Sequence, residues 1–127
     1  VRAFYCPACF AEVEEHTERC PHCGVPIGEF LARTSYVERL IRALDHPEPE
    51  TPLRAAAILG RRRQREAIPA LVAKAEETSD PYLAAACVEA LSRIGGEEAR
   101  AAVKGFAEDR RFIVRAAARK GLGLPPE

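Results

Sequence analysis

Tryptophan is absent from the 127 residues, aromatics make up only 6%, and 19 basic residues are matched by 19 acidic ones. Zero net charge excludes bulk electrostatic attraction to nucleic acid or an anionic membrane, while leaving room for a local patch. No apolar run approaches the ~20 residues that span a bilayer, so membrane insertion is not expected. Residues 1–10 lack the basic-then-apolar pattern of an export signal, so a cytoplasmic location is expected rather than secretion. What is present, 47% hydrophobic and 30% charged residues, is the balance of a soluble globular chain. Its length suits one compact domain, or a small module joined to a short array. Arginine outnumbers lysine 16 to 3 amid abundant alanine, a bias that points to a GC-rich, bacterial source.

Cysteine is scarce but patterned. Four of the five fall as Cys6-x2-Cys9 and Cys20-x2-Cys23 with ten residues between the pairs, and Cys87 lies alone in an alanine-rich stretch. With no export signal, two such pairs point to a tetrahedral metal site rather than to disulfides. Neither pair sits in the strand–helix context of a redox CxxC. Two residues between ligands let both sulfurs reach one zinc ion at ~2.3 Å. Pro7 and Pro21 preset the turn in each pair, and Gly24 suits the left-handed backbone that follows the second. About twenty residues cannot bury enough apolar surface to fold unaided, so the metal is expected to supply the stability. Four thiolates fill the tetrahedron and leave no position for water, so one structural Zn2+ is expected. His16 and His22 are expected to face solvent, and Cys87 to be a small buried hydrophobe.

The run from Tyr5 to Gly24 resembles short zinc ribbons, whose pattern is Tyr-Cys-Pro-x-Cys-Gly, an acidic connector, then Cys-Pro-x-Cys-Gly. It departs at Phe10, where the family has glycine. Either the first turn is looser, or Phe10 packs on whatever the ribbon docks against.

Beyond residue 33 a period emerges. Leu59, Leu91 and Leu122 lie 32 and 31 residues apart, and Leu40, Leu71 and Val103 lie 31 and 32 apart. Self-similarity of that length marks a helical solenoid. Ser35 and Glu38 form a capping box, and Thr51-Pro52 and Asp80-Pro81 place a capping oxygen before proline. Gly60, Gly95-Gly96 and Gly121 fall where helices are expected to stop. The spacing predicts helices near 35–45, 51–60, 66–77, 81–94, 97–108 and 111–121. The expected fold is mainly α: an α-solenoid of about three antiparallel helix pairs carrying a small N-terminal zinc ribbon. Its divisions are a ribbon over 1–24, a linker over 25–33, repeats over 34–123 and a tail over 124–127.

The strings Ala67-Ile-Pro-Ala-Leu71, Asp80-Pro-Tyr-Leu83 with Glu89-Ala-Leu-Ser-Arg-Ile-Gly95, and Val114-Arg-Ala-Ala-Ala118 resemble HEAT-like repeats of the phycobilisome-lyase type. Arg61–Arg63 replace the usual Ile-Gly turn of the first repeat. The resemblance implies scaffolds, chromophore lyases, a His-Glu iron hydroxylase or a DNA glycosylase. The chain has no His-Glu dipeptide, and the array's one histidine is His46 before Pro47. With tryptophan missing too, the enzyme readings lack the groups they need.

What remains is a non-enzymatic adaptor or scaffold that binds another protein. Candidate contact residues are Tyr36, Arg39, Arg42, Lys74, Arg100 and Lys104 on the second helix of each pair. The ribbon is expected to cover the first end of the stack through Phe10, Ile27, Phe30 and Leu31. Phe112, Ile113 and Val114 on the last helix are expected to stay available to a partner or a second copy. The alternative is a nucleic-acid-associated factor gripping phosphates with Arg61, Arg62, Arg63 and Arg65 and using the ribbon.

Overall fold

The computed structural model describes residues 3–127. Two short strands, β1 (Phe4–Tyr5) and β2 (Glu12–Val13), pair antiparallel with Phe4 opposite Val13 and Tyr5 opposite Glu12. Helices α1 (Ile27–Arg33), α2 (Tyr36–Arg42), α3 (Glu50–Arg61), α4 (Ile68–Glu77), α5 (Pro81–Ile94), α6 (Gly96–Gly105) and α7 (Phe112–Gly121) follow. Short 3-10 turns at Ala43–Asp45 and Arg65–Ala67 extend α2 and precede α4. The chain is a mainly helical α-solenoid with one two-stranded sheet at its start.

Side-chain caps account for the starts of two helices. The Ser35 hydroxyl accepts the Glu38 N–H at 3.0 Å to start α2, and the Asp80 carboxylate accepts the Tyr82 N–H at 2.9 Å to start α5. Thr51 does not cap α3 as expected, because that helix begins at Glu50 after Pro49 and makes no side-chain cap bond. The expected linker also differs, since Ile27–Arg33 form α1. Ile27, Phe30 and Leu31 stand at helical spacing in this short helix, although none of its residues is fully buried.

Two layers build the array. α3, α5 and α7 lie side by side, and α2, α4 and α6 lie behind them, with α5 touching α3, α4, α6 and α7. Leu59, Leu71, Val88, Leu91, Val103 and Val114 are fully buried between the layers, and each such side chain contributes about 1.5–3 kcal/mol on leaving water. Cys87 is buried in α5, and that burial pushes its thiol up to about 12. The alanine runs let α3, α5 and α7 approach closely.

Gly60 is the penultimate residue of α3 and Gly121 the last of α7, so both fall where helices end, as expected, and both also make close contacts. A Cβ on Gly60 stands 2.8 Å from the Ala90 backbone, and one on Gly121 collides with the Ser92 hydroxyl. These glycines are contact points of the stack.

Side chains tie successive repeats together. Arg65 donates to the Gly95 carbonyl at 3.0 Å. Arg111 donates to the Ala75 carbonyl at 2.9 Å and the Thr78 carbonyl at 3.3 Å, capping the end of α4, while pairing with Asp109 at 2.9 Å. The Asp109–Arg111 clamp carries no period of its own, which is why the repeat pattern does not reveal it.

Candidate metal centre and partner surfaces

Each CxxC closes a tight turn in the same way. In the first, the Cys6 N–H reaches the Ala11 carbonyl and the Phe10 N–H the Cys6 carbonyl, at 2.9 and 2.8 Å. In the second, the Cys20 N–H reaches the Val25 carbonyl and the Gly24 N–H the Cys20 carbonyl, at 3.0 and 2.9 Å. The residue after each pair is left-handed: Gly24 at φ 80 and Phe10 at φ 61. A non-glycine residue there costs about 1–2 kcal/mol, so Phe10 is held by something outside the turn. Its ring lies 5.1 Å from that of His46, and Tyr5 meets the same imidazole edge-on at 4.7 Å. The Glu48 N–H donates to His46 Nδ1 at 3.1 Å and fixes the ring. Arg42 adds a bond to the Ala8 carbonyl at 3.4 Å and lies over the Phe30 ring at 5.0 Å.

The turns converge four sulfurs to within 4.8 Å of one another, with Cys6–Cys23 and Cys9–Cys20 each at 3.7 Å. A tetrahedron with metal–sulfur bonds of ~2.3 Å has edges of about 3.8 Å, so these separations fit such an ion, whereas a disulfide requires ~2.05 Å. Cys6 and Cys20 are buried, and Cys9 and Cys23 are exposed. Backbone N–H groups of Cys23 and His22 point at the Cys20 sulfur at 3.5 and 3.3 Å. Those donors outweigh the effect of burial and draw Cys20 down to about 6. At Cys9 the Ala11 backbone bond lowers the pKa, but desolvation and the neighbouring sulfurs prevail and push it up to about 12. Four thiols this close resist shared ionisation unless a cation neutralises them. His16 and His22 are exposed, as expected.

The expected contact residues are divided by the structure. Tyr36, Arg39, Arg61, Arg62, Arg63, Arg100, Lys104 and Phe112 are exposed. Arg62 lies over the Tyr36 ring at 5.2 Å and Arg115 over Phe112 at 5.5 Å. Lys74 is engaged internally: its side chain is 15% exposed and pairs with Asp45 at 2.5 Å and Glu77 at 2.9 Å. Arg42 and Arg65 hold the fold together through the bonds described above. On α7 the expected open face is narrower than the sequence implies. Val114 is fully buried and Ile113 half-buried, because α7 turns both toward the stack. The tail lies back along α7, with Arg119 donating to the Pro125 carbonyl at 2.9 Å and Arg115 pairing with Glu127 at 2.7 Å. Leu31 is exposed rather than packed under the ribbon, and Tyr82 is an exposed aromatic that the periodicity does not single out.

The family model for HEAT repeats matches residues 37–123. The chain belongs to the HEAT repeat family. No curated protein and no solved structure matches it. The matched span begins within α2 and ends after α7, so the cysteine module lies outside the HEAT array. Among the described residues, no helix is long and apolar enough to cross a membrane.

Proposed function

We propose that the protein is a non-enzymatic interaction module in which a HEAT array presents a partner-binding surface and a structural Zn2+ holds the amino-terminal ribbon. Cys6, Cys9, Cys20 and Cys23 hold the ion, and a filled thiolate tetrahedron leaves it no position for substrate. The observation that carries the reading is the set of exposed aromatics on a HEAT stack whose core is already closed. Tyr82 is 65% exposed, Phe112 63% and Tyr36 47%, the last two carrying an arginine over the ring. Aromatic and arginine side chains of this kind dominate binding energy at protein interfaces. Two CxxC pairs read as thiolate metal ligands rather than disulfides support a reducing compartment such as the cytoplasm.

The nucleic-acid reading rests on exposed Arg61, Arg62 and Arg63. It has less support, because Arg65 is engaged at Gly95 and the ribbon segment 1–33 holds 3 basic against 5 acidic residues.

Photo-crosslinking residues placed at Tyr36, Tyr82 and Phe112 test the proposal in the native cell. Discrete protein adducts from these positions, and none from an exposed ribbon position such as Glu15, are expected. Adducts to nucleic acid alone, or none at all, overturn it. Elemental analysis of the purified chain is expected to return one zinc per molecule.

A further inference from the structure

We infer that the edge formed by the carboxyl ends of α3, α5 and α7 is a docking row for an extended acidic segment of a partner protein, an inference that rests on the interaction-module reading. The stack itself brings the ends together. Gly60 of α3 packs on Ala90 of α5, and Ser92 of α5 packs on Gly121 of α7. Arg61 follows Gly60, Arg93 follows Ser92 32 residues later, and Lys120 precedes Gly121. Arg93 and Lys120 line one groove of about 250 Å³ with Glu89, Ser92, Ala117 and Gly121. Arg62 and Arg63 extend the row at the α3 end.

Two features mark this edge. Among the described residues, Arg61, Arg62, Arg63, Arg93 and Lys120 take part in no ion pair; on the opposite edge Lys104 and Arg110 are also unpaired, but Lys74 pairs with Asp45 and Glu77, Arg54 with Glu50, and Arg111 with Asp109. Helix polarity does not account for the segregation. It favours cations at the ends of α3, α5 and α7, but it disfavours Asp45, Glu76, Glu77 and Glu108, which sit at or just after the ends of the α2, α4 and α6 layer.

The row's geometry selects its ligand. Neighbouring packed helices stand about 8–10 Å apart, and an extended chain rises about 3.3 Å per residue. A carboxylate at every third residue therefore meets one cation per helix, and arginine forks bind carboxylates in two-point fashion. Glu66, Glu89, Glu97 and Glu98 punctuate the edge. A continuous polyphosphate strand runs into these carboxylates; a spaced acidic peptide passes between them.

The test uses the full zinc-loaded chain and three fluorescent probes: a Glu-Gly-Ser repeat peptide, a peptide with the same glutamates in one block, and a single-stranded oligonucleotide of equal charge. Each is titrated against wild type, an R61E/R93E/K120E variant, and an R39E/R100E/K104E variant reversed on the other layer; all six positions are exposed. The spaced peptide is expected to bind most tightly. Its affinity is expected to fall at least about tenfold in the first variant and to stay within about twofold in the second. Equal losses in both variants, preference for the oligonucleotide, self-association that the first variant abolishes, or no peptide binding each overturn the inference. The crosslinking experiment run on R61E/R93E/K120E separates the two claims. Adducts that persist there leave the interaction-module reading standing without this edge, and adducts absent even from wild type remove that reading.

Discussion

Between Phe4 and Pro26 only Cys6 and Cys20 are buried, whereas the array behind them buries an apolar seam running from Leu40 to Ala118. Both regions hold their backbone in a defined path, yet among the described residues the ribbon has no apolar core and the array gathers no cluster of metal ligands. The ribbon concentrates its stability at one point, where four sulfurs meet. The array spreads it over helix contacts, each small and each sensitive to shape. Damage to one region is therefore expected to leave the other largely standing.

Removing the proposed metal is expected to give the largest effect. Structural zinc contributes about 10–16 kcal/mol of apparent binding free energy to comparable peptides, so chelation or Cys20→Ser is expected to unfold the ribbon outright. The array should keep its helical circular dichroism, while proteases gain access to sites near Arg19. A parallel collapse of the helical signal, which contradicts the independence of the two regions, is the result to look for.

The reciprocal break is Gly60→Val. Its side chain has no room against Ala90, and overpacking of this kind costs about 1–3 kcal/mol, occasionally more. The expected outcome is a lowered denaturant midpoint for the helices with zinc content unchanged. Gly121→Val, at the matching contact with Ser92, tests whether both rungs of the stack behave alike.

How far each region is readable from its residues follows from the same contrast. The candidate metal ligands are legible because chemistry dictates spacing: two CxxC pairs have few other uses. The HEAT array is legible because Leu59, Leu91 and the alanine runs recur, and recurrence survives even where single boundaries drift by a few residues. Contacts made once in the molecule have no such signature. His46 looks like an isolated histidine before a proline, yet it is the surface on which Tyr5 and Phe10 rest. Phe10 itself carries half of that information, since it stands where the turn wants glycine. Lys74 reads as an exposed cation on a helical stripe because its pairs with Asp45 and Glu77 depend on how α2 and α4 are placed.

The Asp109–Arg111 clamp offers a smaller, pH-dependent test within the array. Hydrogen bonds from Arg111 outweigh the effect of burial and hold the Asp109 carboxyl below its ordinary value. The folded chain therefore binds that proton less readily than the unfolded one. The clamp's contribution is complete above the ordinary carboxylate range and is lost as pH falls through the lowered folded value. Asp109→Asn is expected to destabilise the array by about 1–2 kcal/mol at neutral pH, charged hydrogen bonds being worth more than neutral ones. The difference from wild type should shrink on acidification, as read from urea midpoints at a series of pH values. A pH-independent difference assigns the loss to packing instead.

The smallest effect compares the two regions most directly, because each has a side chain in a glycine conformation where a turn or helix end favours glycine, Phe10 in the ribbon and Arg63 in the array. Arg63 ends α3 at φ 51, with its N–H reaching the Gly60 carbonyl at 3.1 Å and the Gln64 N–H reaching Leu59 at 3.1 Å. At the corresponding end of α7 the same pattern of bonds surrounds Gly123 at φ 74. A left-handed side chain costs about 1–2 kcal/mol, and glycine returns part of that through its freedom in the unfolded chain. Arg63→Gly is therefore expected to stabilise the array by about 0.5–1 kcal/mol. Phe10→Gly relieves a similar strain at φ 61 but removes the ring that meets His46, and aromatic pairs of this kind are worth about 0.5–1.5 kcal/mol beyond the area they bury. The same substitution should thus raise the array's melting temperature at Arg63 and loosen the ribbon from α2 at Phe10, seen as faster proteolysis near Arg33 with zinc still bound. Equal gains at both positions contradict His46 as the surface that fixes the ribbon in place.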